Sequence, residues 1–364
     1  MRQARSSRLT LTRCPAIRRE RPARRQPSRI SPTEPALRLL PRLTVLWLAV
    51  LAGLFAALCL GAQDYPPNVL WAALTNFDPT DPAQGIIMGM RLPRVLAALV
   101  IGAALAVAGV VMQAMARNPL ADPGLTGVNA GAALAVVLGL FWLGALSQIV
   151  VAGLALAGAA LAAVLVRYLA GGGDNTLRLP LAGAALSSLF MALVALIVLT
   201  QPEARNAYRF WMVGSLAMAQ LPALAVLAPV AGLGIVITAL VARQIEALML
   251  GAEMGQALGL NVGRVMGFGL AAVALCAGAS VAIAGPVGFI GLIAPHLARR
   301  VLPQASLTQQ VALACPLGAG LAIIADLLGR WLVRPSELQL GLMLAMLGAP
   351  VFMVLIRRMI REGA

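Results

Sequence analysis

Residues 91–127 read RLPRVLAALVIGAALAVAGVVMQAMARNPLADPGLTG. Between Arg91 and Arg117 the only charged side chain is Arg94, and the stretch closes on a polar turn. A helix over 93–115 has no polar face to offer water. About 20 apolar residues suffice to cross the hydrocarbon core of a bilayer. The stretch therefore predicts a membrane-spanning helix whose charged and polar flanks are suited to protein contacts.

The same pattern recurs outward in both directions. The chain is 60% hydrophobic with a mean hydropathy of +0.89, whereas soluble domains are about half apolar. Long uncharged runs predict an all-α, polytopic membrane protein with about ten helices, roughly 43–63, 93–115, 124–143, 147–166, 179–200, 222–242, 265–284, 287–300, 307–329 and 338–357. The eighth is short and carries His296, the one histidine of the chain. Residues 43–364 are read as one membrane domain. The tail 1–42 mixes Arg, Pro and Ser without an apolar face and is read as disordered. No cleavable leader is expected, because segment 43–63 is long enough to span and lies far from the N-terminus.

All 28 basic residues are Arg, and twelve lie in residues 1–42, so much of the +15 net charge sits in the tail. Basic residues mark the cytoplasmic side. Both termini are therefore expected in the cytoplasm, and Arg117, Arg167, Arg178, Arg243, Arg264, Arg299, Arg300, Arg357, Arg358 and Arg361 agree. Arg91, Arg94, Arg205, Arg209, Arg330 and Arg334 fall on the outside in this topology and stand out as candidate functional charges.

A weak internal repeat relates GAALAVAGVV (102–111) to GASVAIAGPV (278–287), with six of ten positions identical. The two copies should run in opposite directions, the inverted arrangement common in transporters. Small residues here also permit close helix packing. Two connections exceed a turn. The outer one, 201–221, carries Tyr208 and Trp211, which suit an interface. The inner one, 242–264, has helix-forming composition broken by Gly251 and Gly259, and is read as two short cytoplasmic helices with a glycine between them.

Several chemistries are not supported. The chain has no Lys, hence no lysine-containing phosphate loop for ATP hydrolysis. His296 has no ligand cluster near it in sequence, so no metal site is expected. Cys14, Cys59, Cys276 and Cys315 have no paired spacing and read as apolar fillers. Only Asp326 falls well within a predicted span; an i,i+4 pair with Arg330 accounts for it. The alternative is an ion-coupled secondary transporter in which Asp326 is essential; a carrier powered from outside the chain predicts a mild Asp326→Asn phenotype.

The segments 91–132, WMVGSL (211–216), LGAEMGQALGLNVGR (250–264), AGPVGFIGLIAPHLARR (284–300), ADLLGRWLVRPSELQLG (325–341) and LGAPVFMVLIRR (347–358) are together similar to the FecCD-type permease family of ABC importers for iron–siderophores, haem and cobalamin. They occur in family order and cover nearly all of 43–358. The resemblance implies a homodimer in the bacterial cytoplasmic (inner) membrane, two cytoplasmic ATPase subunits that carry the ATP-Mg, and an extracytoplasmic substrate-binding protein, with no cofactor on this chain and no nucleic-acid partner. It implies that Arg91, Arg94 and Arg330 dock acidic side chains of the binding protein, a role suited to guanidinium forks, while Arg334 stays open. Charge reversal at Arg91 and Arg94 is expected to abolish that association and to spare folding. Gly251, Glu253, Ala257, Leu258 and Gly259 carry the match to the family's ATPase-coupling helices, and their alteration is expected to uncouple transport. Asn175 and Thr176 are implied as cytoplasmic gate residues on a path lined by the fifth and tenth helices. Gln256, Gln339 and Leu344 depart from the family's usual residues. Ferric siderophore is the expected cargo, with haem or cobalamin as alternatives.

Overall fold

A computed structural model of the chain describes residues 34–144, 146–171 and 178–361. Among them there is no strand. In chain order the helices are α1 (Glu34–Cys59), α2 (Pro67–Thr75), α3 (Pro82–Ile86), α4 (Leu92–Ala116), α5 (Val128–Leu143), α6 (Gln148–Ala170), α7 (Arg178–Thr200), α8 (Pro202–Met212), α9 (Leu221–Met249), α10 (Ala252–Ala257), α11 (Val262–Ala284), α12 (Ile290–Val301), α13 (Leu307–Leu332) and α14 (Leu340–Arg361). A π-helical turn, Ile87–Arg91, joins α3 to α4, and a 3-10 turn, Pro123–Thr126, leads into α5.

Each predicted apolar segment falls largely on a helix, but about ten membrane helices is not what length and composition support. Seven helical stretches are long and apolar enough to cross a membrane; Val128–Leu143 and Leu340–Val354 are shorter. The segment 287–300 yields only the twelve residues of α12. Its start is delayed because Gly285 (φ +75°), Pro286 and a left-handed Phe289 (φ +70°) break the chain between α11 and α12. At the other end of the chain, α1 begins at Glu34, within the segment read as tail. The remainder of that tail, 1–33, lies outside the described residues.

The helix that opened the sequence argument is the centre of the fold. In the most apolar stretch of the span containing α4, 78% of the residues are buried, against 22% in those of α1 and α7. The helix α4 packs against α9, α11, α12 and α13. Close approach depends on glycine: a Cβ on Gly102 would overlap the Gly318 carbonyl of α13, and one on Gly109 the Gly291 carbonyl of α12. Lipid offers no hydrophobic drive between helices, so such van der Waals fit is what holds them. The two copies of the repeat pack against different helices. Gly102 of α4 meets α13, and Gly278, at the same position of the second copy, meets Ala159 of α6.

The two ends of the bundle are distinct. One gathers the segments 60–91, 211–217, 284–286 and 329–341, tied by Ser215 N–H to the Ala284 carbonyl (2.8 Å), Gly341 N–H to Gly214 (3.0 Å) and Leu338 N–H to Gly329 (2.9 Å). The other gathers the α4–α5 turn, the α9–α11 connection and the end of α12. Tyr208 and Trp211 of α8 turn inward: Tyr208 packs with Ala133, Val137 and Val194 of α5 and α7.

Candidate docking recess and coupling surface

At the first end α1 stops at Cys59, four residues before the apolar run does, and its last carbonyls need donors. Two arginines remote in sequence supply them. Arg91 Nη1 donates to the carbonyls of Leu58 (2.8 Å) and Cys59 (3.0 Å), and its Nη2 donates to that of Gln63. Arg330 Nη1 donates to Ala57 (3.1 Å) and Leu60 (3.3 Å). Cationic groups at a helix C-terminus also complement its dipole. Arg91 reaches this position from the π-helical turn before α4, and its guanidinium lies 4.6 Å from the Tyr65 ring centroid.

The third arginine joins a carboxylate network. Arg94 Nε donates to Asp326 Oδ1 (2.8 Å) and Nη1 to Glu337 Oε2 (2.5 Å). The other oxygen of Asp326 faces Arg330 Nε at 3.0 Å, the expected i,i+4 pair, in ionic contact without hydrogen-bond alignment. Asp326 is 1% exposed, and Arg91, Arg94 and Arg330 are 7%, 8% and 2% exposed. Arg94 and Arg330 thus contact the two carboxylates and Arg91 contacts neither, which leaves an excess positive charge. Arg330 Nη2 is buried with no hydrogen-bond partner among the described residues.

These three arginines, Glu337, Gln63 and Tyr65 line one recess of about 180 Å³. Beside it Arg334 grips Asp64 with both nitrogens (Nη2–Oδ1 2.8 Å, Nη1–Oδ2 3.2 Å). The Gly61 N–H and then Arg334 hold the Asp64 carboxyl below the usual carboxylate range. Sequence reasoning singled out all three arginines but missed the capping of α1, because the donors lie 32 and 273 residues from their acceptors. It also missed Asp64 and Glu337. The only signals for them are an acidic residue directly after the first apolar run and one inside RPSEL.

At the opposite end one short helix is present where two were expected. Residues 242–249 contain no breaker, so α9 continues to Met249, and the first interruption is Gly251 at φ +130°. The helix α10 closes with Gly259 N–H donating to Gln256 O (2.8 Å) and Leu260 N–H to Gly255 O (3.0 Å), around Gly259 at φ +79°. This paired bonding requires a left-handed residue, hence glycine. Glu253, Ala257, Leu258 and Gly259 are exposed, as are the apolar side chains of Leu250 and Met254; Gly251 is half-buried. The base is braced by Arg117, the left-handed cap of α4, whose Nη2 donates to the Leu248 carbonyl (2.5 Å). Asn175 and Thr176 lie outside the described residues. Among the described residues no group of three His, Cys, Asp or Glu side chains is placed to hold a metal ion.

A glycine-packed helical bundle with a basic recess at one end and an exposed glycine-hinged helix at the other defines a membrane transport subunit. The chain belongs to the FecCD transport family, whose model matches residues 48–358. It is a multi-pass permease subunit of an ABC importer and not an enzyme. It is 40% identical over 315 residues to the ferric enterobactin transport system permease of Escherichia coli (85% of this chain, 92% of that protein). It is 36% identical to the hemin transport system permease of Yersinia pestis (88% and 97%). A solved structure described as an inward-facing metal-chelate type ABC transporter superposes with a TM-score of 0.76 at 28% identity, covering 88% of this chain and 99% of that one.

Proposed function

We propose that two copies of this chain form the membrane channel of an importer that carries a ferric siderophore into the cytoplasm. The observation that carries the cargo is the 40% identity, over nearly the whole length, to a ferric enterobactin permease. Haem and cobalamin are the alternative cargoes; similarity to the hemin permease keeps haem in the test. Both termini and the α10 end face the cytoplasm, in keeping with the distribution of arginine. The apolar side chains exposed on α7 and α14, among them Leu189, Leu196, Met346 and Val351, supply the face on which the two copies meet around the path.

An extracytoplasmic binding protein docks at the recess of Arg91, Arg94 and Arg330, inserting an acidic side chain toward the excess positive charge. Two ATPase subunits, carrying ATP-Mg, grip the surface of Gly251, Glu253, Ala257, Leu258 and Gly259. ATP-driven movement of α10 is transmitted to α9 and, through Arg117, to the central α4. Asn175 and Thr176 close the cytoplasmic mouth.

Proteoliposomes holding the permease with its ATPase, binding protein outside and ATP inside, test the cargo. ATP-dependent accumulation of labelled ferric siderophore is expected, in preference to haem and cobalamin. Accumulation of one of the latter instead overturns the cargo. Uptake driven by an ion gradient without the ATPase overturns the mechanism.

A further inference from the structure

A groove between α6 and α11 is not used by transport as read above. It consists of two adjoining cavities that share Arg167, Gly267 and Ala271. The first, about 570 Å³, is the mouth, where Arg167 meets Asn261 and Arg264 at the end of the bundle that bears α10. The second, about 320 Å³, runs along the helices and is apolar apart from Arg167, with Ala163, Val164, Leu270 and Leu275 on its walls. Arg167 Nη2 donates to the Gly263 carbonyl (2.8 Å), a neutral acceptor. Neither Arg167 nor Arg264 has a carboxylate partner among the described residues. A basic mouth opening into an apolar slot at the end of a membrane helix matches one kind of molecule: a charged head on a hydrocarbon tail.

We propose that an anionic phospholipid, from the leaflet on the α10 side, occupies this groove with its phosphate between Arg167 and Arg264 and an acyl chain in the slot. Basic pockets between membrane helices attract anionic headgroups. A second copy of the chain does not suit the groove. A twofold contact presents the same patch from both sides and would set Arg167 and Arg264 against their own counterparts. The lipid would tie the end of α6 to the start of α11, next to the coupling connection. The assignment is independent of the cargo.

The test is native mass spectrometry of the full-length, delipidated protein titrated with phosphatidylglycerol or phosphatidylcholine. Two basic side chains facing one headgroup imply a preference for phosphatidylglycerol of roughly tenfold or more. Arg167→Gln/Arg264→Gln should abolish the preference. Arg264→Gln alone, at an exposed side chain with no bond to lose, should reduce it and leave the unfolding temperature unchanged. Ala271→Phe, which fills the slot, should weaken retention of both lipids. Equal retention of the two lipids by the parent, an unchanged preference in Arg264→Gln, or displacement of bound lipid by soluble glycerol phosphate would each overturn the proposal. A shift in the monomer–dimer ratio of Ala271→Phe, with lipid retention unaltered, would reassign the groove to an interface between copies.

Discussion

Asp326 holds two guanidiniums in a space closed to solvent, so its effect is decided by what is left when its charge goes. Removing one partner of a buried ion pair costs about 3–5 kcal/mol because the remaining charge is uncompensated. Asp326→Asn leaves Arg94 and Arg330 facing each other with only Glu337 to balance them. The mild phenotype expected from sequence therefore gives way to a stability defect. A clearly lowered unfolding temperature in detergent is expected, and a parent-like one would show that the network contributes nothing. The same logic revises charge reversal at Arg91: a carboxylate would face the carbonyls of Leu58, Cys59 and Gln63, so folding would not be spared. Asp64 sits in the opposite setting, exposed and gripped by Gly61 N–H and Arg334. Its depressed pKa means that its contribution is present above the unfolded value of about 3.9 and is lost as pH falls through the folded one. Asp64→Asn should unfold at a lower temperature than the parent near neutral pH, and the two curves should converge in acid. A gap that persists at the lowest pH would assign the effect to something other than ionisation.

At the scale of elements, α10 is bounded by two glycines of positive φ. A Cβ on Gly251 or Gly259 would meet nothing within 4 Å, so space is not the obstacle. Positive φ is, at roughly 1–3 kcal/mol for an L side chain. Gly259→Ala and Gly251→Ala should fold and assemble, because the strain is local and exposed, yet re-aim α10. The expected result is ATP hydrolysis largely retained with transport several-fold reduced. Equal loss of both activities would place the defect in assembly instead. Sequence exposed this element through its two glycines but miscounted its helices. Composition marks where a helix can form, and the stop is set by the first residue that needs positive φ.

For the whole molecule, the docking proposed at the recess is a question of charge balance. Glu337 is the partly exposed carboxylate that pairs with Arg94, and in the proposed docking it would compete with the acidic side chain of the binding protein. Glu337→Gln should therefore tighten association of the binding protein, about tenfold for a gain near 1.4 kcal/mol. The gain should shrink at high salt if the attraction is electrostatic. Weaker association measured by surface plasmon resonance would mean that Glu337 itself contacts the partner. By itself the sequence determined the membrane, the family, the arginines that line the recess and the glycines that bound α10, because apolar length, charge and glycine are properties of a residue and its near neighbours. Only the tertiary structure decided that α4 is the buried axis, that Asp326 serves two arginines, and that Arg91 and Arg330 close the end of α1. Those relations join groups up to 273 residues apart, and no local pattern records a contact made by chain folding.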